Sequence, residues 1–369
     1  MNKKLEIMHE GSHLYDISYE DSFAALKDIV KKFDFADKKI MVISDTKVAS
    51  NYMDAILCDM EPLCKEIHSF IFPEGEKSKS LDTVRDAYTA LIEKKFDRHD
   101  MILALGGGVT GDMAGYTAAT FLRGIDFIQI PTSLLAMVDS SIGGKTGVDF
   151  DKYKNMVGAF KMPAHVYINT SVLKTLDKRQ IISGMGEVIK SALIKDAGFF
   201  EWLEENAADI ESIYDTFSLD TYRYMIYKSD MVKKNVVEND PYEKGERGLL
   251  NFGHTLGHAL EKHMNFELLH GECVLIGSVM SAYISNKLGY LSDEELRRTV
   301  KLIKGYELPK LPADIDIEKI VEYTKNDKKV VGDKIKFILL RGIGDAFITK
   351  DVSADDMKEA IEVYLKEYN

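Results

Sequence analysis

Short apolar segments alternate with amphipathic ones through the first half of the chain, and this alternation restricts the possible folds more than any other feature. Four segments have the composition of buried β-strands: Lys39–Asp45, Met101–Leu105, Phe127–Pro131 and Val166–Asn169. Between the first two, Leu81–Lys95 carries apolar residues at helical spacing. Strands separated by helices favour a parallel sheet with helices on both faces. We therefore predict a doubly wound, Rossmann-like α/β domain over residues 1–170.

The second half of the chain has a different pattern. Apolar residues recur at helical spacing, with few β-branched runs, in Gly186–Ile194, Phe199–Ala207, Thr221–Val237, Leu249–His263 and Val274–Leu288. One late hairpin is indicated by Lys334–Leu340 and Asp345–Thr349. We predict a mainly α-helical domain over residues 171–369. A length of 369 residues is typical of two such domains.

The charge and the cysteine content exclude several classes of protein. A net charge of −12 disfavours binding to nucleic acid or to an anionic membrane, because both need a basic surface. The 3 cysteines include no CxxC pair, as expected of reduced thiols. Uncharged runs such as Phe127–Val138 are shorter than the roughly 18 residues of a membrane span, and Glu6 interrupts the start where a signal peptide would be apolar. We expect a cytoplasmic protein without nucleic-acid or membrane partners.

Two glycine-rich segments could bind an anion. Gly106–Asp112 lies between a predicted strand and the helical Met113–Leu122, which suits either a nucleotide phosphate or a plain tight turn. Gly143–Thr146 is not a P-loop, because the position of the required first glycine is Asp139. Lys145, followed later by Lys154 and Asn155, therefore lies either in a solvated loop or in an anion site.

A group of histidines suggests a metal site. His254 and His258 are four residues apart and lie on one face of a helix. His270 follows in a His-Gly-Glu motif, and Glu187 lies in a glycine-flanked helical segment. Two histidines and a glutamate can hold a divalent metal and leave positions open for a substrate. The alternative is that each histidine is an ordinary core or surface residue.

Seven segments extend these motifs along most of the chain: Pro73–Ser80, Leu105–Asp112, Arg123–Leu135, Val138–Thr146, Lys154–Phe160, Asn251–Ala259 and His270–Glu272. In this order they resemble the 3-dehydroquinate synthase family of sugar-phosphate cyclases. The resemblance implies an N-terminal NAD domain, a C-terminal domain with zinc or cobalt, a site between them, and a homodimer. It implies a carbon–oxygen lyase of the shikimate pathway to aromatic amino acids. The expected reaction is cyclisation of 3-deoxy-D-arabino-heptulosonate 7-phosphate, a small anionic sugar phosphate, with elimination of phosphate.

The resemblance also implies roles for individual residues. The metal ligands are Glu187, His254 and His270. His258 remains free as a hydrogen-bonding or proton-transfer residue, and the reacting end of the substrate further involves Asp139, Lys145 and Lys190. This sequence departs from the family's pattern at three positions. Gly186 and Cys273 replace alanines, and Glu246 replaces an apolar residue beside Arg247.

Further positions match the family's ligands for substrate and cofactor. The implied substrate ligands are Arg123 from the neighbouring subunit, Lys145, Asn155, Lys190, Lys233, Arg247, Asn251, His258, and Lys328 or Lys329. The implied NAD contacts are Asp45, Glu76, Lys79, Gly107, Gly108, Asp112, Thr132, Ser133, Lys145 and Lys154.

Three other functions remain open from the sequence. One is a sister cyclase acting on sedoheptulose 7-phosphate or glucose 6-phosphate, and another is a metal-dependent polyol dehydrogenase that releases NADH. The third is an inactive NAD-binding module. The heptulosonate carries a carboxylate as well as a phosphate, and a guanidinium binds carboxylate bidentately. We therefore expect Arg247, with Lys233, to favour the heptulosonate, provided that the Glu246 side chain points away from Arg247.

Overall fold

The structure is a computed structural model that describes residues 3–151, 153–206, 218–243, 245–325, 330–331 and 334–369. The chain divides into two compact units, residues 1–176 with 222–230, and residues 177–221 with 231–369. The predicted boundary lay at residues 170 and 171. The pattern of apolar residues could not predict that residues 222–230 belong to the first unit, because these residues lie within one continuous helix.

The first unit is built on a mainly parallel sheet. Its strands are β1 (Lys4–His9), β2 (Ser12–Glu20), β3 (Lys39–Asp45), β4 (Glu66–Phe72), β5 (Met101–Gly106), β6 (Asp126–Pro131), β7 (Lys145–Phe150), β8 (Tyr153–Phe160) and β9 (His165–Asn169). Seven of them form one sheet in the order β1-β2-β9-β6-β5-β3-β4, with only the β1–β2 pair antiparallel. The predicted α/β class is confirmed, whereas the antiparallel edge and the separate β7–β8 hairpin were not predicted.

Helices cover both faces of this sheet. They are α1 (Leu26–Val30), α2 (Thr46–Met60), α3 (Leu81–Glu93) and α4 (Gly108–Thr120). Successive residues of β3 point to opposite faces, so Ile40 and Val42 join one buried cluster with residues of α2. Met41 and Ile43 join the other cluster, with residues of α3 and α4. Burial on both faces explains why the strand sequences are almost continuously apolar.

The order of the strands reverses beside β3. From β3 the chain moves outward to β4, and then returns to place β5 on the other side of β3. In open α/β sheets, ligands bind at the carboxyl ends of strands at such a reversal. Asp45 ends β3 and Gly106 ends β5, so both residues lie at this edge.

The second unit is mainly helical, as predicted. Its helices are α5 (Lys178–Lys195), α6 (Ala197–Asn206), both ends of α7 (Leu219–Asn239), α8 (His254–His263), α9 (His270–Lys287), α10 (Asp293–Lys304), α11 (Ile317–Thr324) and α12 (Ala354–Val363). Two strand pairs accompany them, β10 (Val330–Val331) with β11 (Lys334–Ile335), and β12 (Phe337–Gly342) with β13 (Asp345–Thr349). Among the described helices, none is both long and apolar enough to cross a bilayer.

Two sequence predictions about this unit were wrong in detail. Leu249–His263 is not one helix, because a 3₁₀ turn over Glu246–Asn251 ends first and Gly253 adopts a φ of +77° before α8 begins. A left-handed residue interrupts the helical hydrogen bonds, so His254 becomes the first residue of α8. The predicted late hairpin is confirmed, since β12 pairs antiparallel with β13, but its first strand begins at Phe337 because Lys334–Ile335 forms β11.

Glycines let α5, α8 and α9 pack with their backbones in close approach. A Cβ built on Gly271 of α9 would lie 1.7 Å from the carbonyl oxygen of Ser183 in α5. One built on Gly277 would lie 2.0 Å from the carbonyl oxygen of Gly253, and one on Gly257 would lie 2.7 Å from that of Cys273. No side chain fits at such distances, so these positions set the spacing of the three helices.

Candidate active site

Side chains from α5, α8 and α9 converge in the second unit. His254 opens α8, His258 lies one turn later, His270 opens α9, and Glu187 lies in the middle of α5. One ring nitrogen from each histidine lies within 4.8 Å of the others. Glu187 Oε1 is 3.3 Å from His270 Nε2 and 3.5 Å from His254 Nε2. The structure thus brings together the three predicted metal ligands and His258.

These distances match the donor set of a small divalent cation. Bonds of about 2.0–2.1 Å in a tetrahedral arrangement place two ligand atoms about 3.3–3.4 Å apart. Both Glu187–histidine separations lie at or near this value. Glu187 is 1% exposed, and its Oε1 has no hydrogen-bond partner among the described residues. A cation beside this oxygen would compensate for its burial.

Neighbouring groups orient the two histidine ligands. His254 Nδ1 lies 3.0 Å from the carbonyl oxygen of Phe252, and because a carbonyl only accepts, Nδ1 must carry the proton. Nε2 then presents its lone pair towards Glu187. His270 Nδ1 lies 4.0 Å from the buried carboxylate of Glu261. Carboxylate and carbonyl partners of this type typically orient metal-binding histidines.

Glu261 was missed by the sequence reasoning. It lies seven residues after His254 in α8, which places it on the same helix face. The sequence could have indicated Glu261, because it is a carboxylate on the same helix face as a candidate metal ligand.

The electrostatics of the cluster favour positive charge. Burial lowers the pKa of His270, but the carboxylates of Glu187 and Glu261 outweigh it and raise the pKa to about 10. Burial likewise acts to raise the pKa of Glu187, yet Lys190 and His270 hold it below its usual value. The donors therefore attract a cation, which fits a divalent metal.

Lys190 lies one turn after Glu187 on α5 and binds Glu187 Oε2. Both side chains are almost completely buried. The two oxygens of Glu187 thus have different surroundings, with Lys190 at Oε2 and the two histidines at Oε1.

The other predicted anion ligands of this unit are mostly buried. Lys233 in α7 is 5% exposed, and Arg247 is 2% exposed. Arg247 donates through Nη1 to the carbonyl oxygen of Pro241, and Asn251 donates through Nδ2 to Glu243 Oε1 at 3.0 Å. Lys328 and Lys329 lie outside the described residues.

Glu246 does not direct its carboxylate towards its neighbour in sequence. Its Oε1 accepts from Lys195 Nζ at 2.5 Å, and its Oε2 from Asn239 Nδ2 at 3.4 Å. The carboxylate is therefore occupied by Lys195, as the expectation that it points away from Arg247 requires.

In the first unit, several of the predicted cofactor residues lie at the carboxyl ends of β3, β5 and β6, namely Asp45, Gly107, Gly108, Thr132 and Ser133. Gly107 caps α4 directly after β5, and Thr132 and Ser133 directly follow β6. A Cβ built on Gly107 would lie 3.4 Å from Ser133 Oγ, and one on Gly108 would lie 3.2 Å from Ser140 Oγ. The glycines keep this edge open in front of the first amide groups of α4, which suits a dinucleotide phosphate.

Asp45 has a structural partner in this region. Its Oδ1 accepts from the backbone amides of Lys47 and Val48 at 3.0 Å, which caps α2. Thr110 Oγ1 donates to Oδ2 at 3.3 Å. The carboxylate lies at the correct strand end for a ribose hydroxyl, and it also caps α2.

Lys79 contacts both a predicted cofactor residue and a predicted substrate ligand. Its Nζ lies 2.7 Å from Asp112 Oδ2 and donates to Asn155 Oδ1 at 2.6 Å. Burial lowers the pKa of Lys79, but Asp112 and Glu76 outweigh it and the net shift is upward. Lys154 and Glu76 approach to 3.9 Å at the surface. The predicted cofactor residue Asp112 and the predicted substrate ligand Asn155 therefore both bind the buried ammonium of Lys79.

Three further predicted residues lie on different elements of the first unit. Lys145 opens β7 and is exposed. Asp139 is half-buried in a π-helical turn over Ala136–Ser140. Arg123 is exposed and adopts a φ of +72°, between Leu122 at +49° and Gly124 at +121°.

Comparison with solved structures defines the class. The chain shares its fold with sugar-phosphate cyclases, including a 2-deoxy-scyllo-inosose synthase complexed with carbaglucose-6-phosphate, NAD⁺ and Co²⁺. The TM-score is 0.87 at 26% identity, covering 97% of this chain and 99% of the other. A 2-epi-5-epi-valiolone synthase from Streptomyces hygroscopicus with NAD⁺ and Zn²⁺ bound gives 0.88 at 27%, covering 99% of both chains. An iron-containing alcohol dehydrogenase shares the fold at a TM-score of 0.65 and 15% identity, with 96% and 98% covered.

Sequence comparison identifies the family within this class. Residues 69–183 match the family model for the N-terminal part of 3-dehydroquinate synthase, and residues 184–330 match that for its C-terminal part. The 3-dehydroquinate synthase of Acinetobacter baumannii (strain AYE) is 42% identical over 325 residues, which cover 88% of this chain and 89% of the relative. That of Shewanella pealeana is 39% identical over 363 residues, covering 97% and 99%. The chain belongs to the 3-dehydroquinate synthase family.

Proposed function

We propose that this chain is an NAD- and metal-dependent lyase that converts 3-deoxy-D-arabino-heptulosonate 7-phosphate into 3-dehydroquinate with elimination of phosphate. This is a step of the shikimate pathway to aromatic amino acids. The observation that carries the proposal is the Glu187, His254 and His270 donor set, whose separations of 3.3 and 3.5 Å suit a tetrahedral cation, in a chain of this family. The nitrogen and oxygen donors suit zinc.

When bound, NAD takes up and returns one hydride, and the divalent cation polarises the hydroxyl that is oxidised. The temporary ketone acidifies the neighbouring C–H bond, so phosphate leaves by elimination. Ring opening and an aldol closure then complete the product. Because the hydride returns to the same substrate, NAD is not consumed.

The residues of the second unit have distinct roles in this proposal. Glu187, His254 and His270 hold the metal, while Phe252 and Glu261 orient the two imidazoles. His258 exchanges hydrogen bonds or protons with the substrate, since its ring lies 5.0 Å from that of His254. Lys190 keeps Glu187 ionised and binds a substrate oxygen beside the metal.

The residues of the first unit hold the cofactor and one anionic group. Gly107, Gly108, Thr132 and Ser133 face the NAD phosphates, and Asp45, Glu76, Lys79, Asp112 and Lys154 complete the cofactor contacts. Asp139 orients the cofactor or the substrate. Lys145 and Asn155 bind the phosphate of the substrate, and Lys145 is exposed on β7 for this purpose.

Arg247 makes the heptulosonate the expected substrate among the sugar phosphates of this fold. Its guanidinium is 2% exposed, and the competing carboxylate of Glu246 binds Lys195. Sedoheptulose 7-phosphate and glucose 6-phosphate carry no carboxylate for Arg247 to bind, and the loss of this contact would disfavour them by roughly a hundredfold.

Turnover efficiency on the three sugars tests this assignment. We expect the wild type to prefer the heptulosonate by roughly a hundredfold, and Arg247→Lys to lose most of that preference, because lysine cannot bind a carboxylate bidentately. Equal efficiency in the wild type, or no selective loss in the variant, would assign the chain to a sister cyclase activity.

We also propose that the active form is a homodimer. The β7–β8 hairpin exposes apolar side chains, namely Phe150, Tyr153, Met156 and Phe160, each 48–53% exposed. Leu122, 40% exposed, lies beside Arg123. Exposed apolar side chains in the unit that carries an exposed arginine support a subunit interface across which Arg123 reaches the substrate of a neighbouring subunit.

Mixing two inactive variants tests this arrangement. If Arg123 acts across the interface, Arg123→Ala and Glu187→Ala subunits should recover activity when mixed, because each heterodimer contains one intact site. Activity should reach about a quarter of the wild-type value in a statistical mixture. No recovery in verified heterodimers would place Arg123 in its own subunit's site.

A further inference from the structure

We propose that Asp149 is a positioning residue for sugar-phosphate binding, which holds Asn155 in the backbone conformation that lets Lys79 orient its amide group. This inference rests on the proposed function, because it concerns the ligand role of Asn155. Asp149 itself matches none of the residues that the family resemblance assigns.

The backbone of Asn155 needs support from outside the residue. Asn155 adopts a φ of +55°, a left-handed conformation that asparagine tolerates better than most residues but that remains less favourable than the extended one. It does so inside β8, a strand of a two-stranded sheet. Its backbone amide donates to Asp149 Oδ1 at 2.8 Å. A carboxylate acceptor makes this hydrogen bond a strong one.

Asp149 is placed for this contact by an irregularity of the hairpin. The pairing of β7 with β8 shifts register between Val148 and Phe150, on either side of Asp149. A β-bulge redirects the side chain at the point where it occurs. The backbone amide of Asp149 donates to the carbonyl oxygen of Lys79 at 2.9 Å, which ties the irregularity to the segment that carries the lysine.

Lys79 then determines which end of the Asn155 amide faces it. Lysine donates hydrogen bonds and accepts none, so the amide atom 2.6 Å from its Nζ must be the oxygen. Asp112 holds the same ammonium at 2.7 Å. The two N–H bonds of Asn155 Nδ2 therefore point away from Lys79. In this orientation they can donate to phosphate or hydroxyl oxygens.

The three residues form a closed set of contacts. Lys79 binds Asp149 through its backbone oxygen and Asn155 through its ammonium, while Asp149 binds the backbone of Asn155. Loss of the Asp149 carboxylate removes the link that holds the left-handed backbone. Lys79 and Asp112 keep their contact, so cofactor binding should change much less than binding of the sugar phosphate.

Four variants test the inference: Asp149→Ala, Asp149→Asn, Asn155→Ala, and the double variant Asp149→Ala with Asn155→Ala. Asparagine keeps an oxygen that accepts from the Asn155 amide. We expect Asp149→Ala to raise both the KM and the calorimetric Kd of the heptulosonate phosphate by about tenfold, with kcat changed less than about threefold. Asp149→Asn should restore both constants to within about threefold of the wild type.

The double variant separates positioning from a general structural role. If Asp149 acts through Asn155, adding Asp149→Ala to Asn155→Ala should raise KM by less than about twofold. Asp126→Ala is the matched control, since it removes an exposed carboxylate of the same unit that pairs with Lys161, and it should leave KM unchanged.

Three results would overturn the inference: independent effects in the double variant, failure of Asp149→Asn to restore binding, or an equal loss of NAD affinity in Asp149→Ala. The binding arm does not depend on turnover. Wild-type protein that binds the heptulosonate phosphate without releasing phosphate would contradict the proposed function. The Kd values of the Asp149 variants would still test the role of Asp149 in that case.

Discussion

His165 shows how a buried residue of the first unit makes stability depend on pH. It lies in β9, is 2% exposed, and its Nε2 is 2.9 Å from Ser18 Oγ. Burial is the main cause that lowers the pKa of its imidazole to about 4, with Asp16 opposing the shift and Lys32 and Lys4 adding to it. The folded protein therefore contains a neutral His165 at neutral pH.

The first prediction follows from this difference between the folded and unfolded states. Below about pH 6.5 the unfolded chain protonates this histidine and the folded protein does not, so stability falls as the pH drops from about 6.5 to about 4. Above that range this residue contributes no pH dependence. The loss amounts to about 3 kcal/mol at most.

Urea unfolding at pH 7 and pH 4.5 measures the effect. His165→Asn should be less stable than the wild type at pH 7, and the gap should narrow at pH 4.5. His99→Asn is the control, because His99 is exposed, and it should follow the wild type at both pH values. A constant gap for His165→Asn would show that His165 is not the neutral group described.

At the residue scale, the sequence predicted which side chains meet but not how they are held. Glu187, His254, His258 and His270 were recognised from spacing and motif, and the structure brings them together. Glu261 and Asp149 were missed because each acts through another residue, so no donor pattern of its own marks it. The individual roles stay predictions.

At the element scale, the metal cluster depends on how closely α5 and α9 approach. Gly271 N donates to Ser183 Oγ at 3.1 Å, and Arg179 of α5 binds both oxygens of Glu272 at 2.6 and 2.8 Å. Gly186 also faces Gly271, since its Cβ would lie 2.4 Å from the Gly271 carbonyl oxygen. These contacts fix His270 opposite Glu187.

We predict that Gly271→Ala separates the two helices. A Cβ 1.7 Å from the Ser183 carbonyl oxygen cannot be accommodated without movement, so the free energy of unfolding should fall by about 1–3 kcal/mol. Because His270 precedes this position, zinc affinity should fall by about tenfold or more. Chelator competition at pH 7 and urea unfolding measure the two effects.

Gly198→Ala in α6 is the matched control. Its Cβ would lie 3.6 Å from Asp196 Oδ1, an ordinary contact, so this variant should bind zinc normally and lose no stability. If Gly271→Ala behaved in the same way, the close approach of α5 and α9 would not be what sets the donor geometry.

The boundaries of helices and strands could be predicted where the pattern of apolar residues is clear. Lys39–Asp45 was placed correctly because both faces of β3 are buried and residues 40–43 are all apolar. The break before α8 was missed because Gly253 adopts its left-handed conformation through tertiary packing against α9, where its Cβ would meet Ser278. The β7–β8 hairpin was missed because exposed apolar residues obscure its alternation.

At the scale of the whole molecule, two units each carry part of the proposed chemistry. In the proposed function, the first presents an open, glycine-lined sheet edge for NAD, and the second presents a partly buried donor set for a divalent cation. The same fold also occurs in an iron-containing alcohol dehydrogenase. A polyol dehydrogenase, one of the alternatives that the sequence left open, would release NADH. What separates the two activities is therefore the fate of the hydride, which a single assay can follow.

The most direct measurement is the release of inorganic phosphate from 3-deoxy-D-arabino-heptulosonate 7-phosphate by the purified chain, with NADH absorbance recorded at the same time. The account predicts phosphate release in proportion to 3-dehydroquinate, dependence on catalytic NAD, no net NADH, and loss of activity on chelation with recovery on adding zinc or cobalt. NADH accumulating in proportion to product, or no phosphate release from metal-loaded protein with NAD, would contradict it.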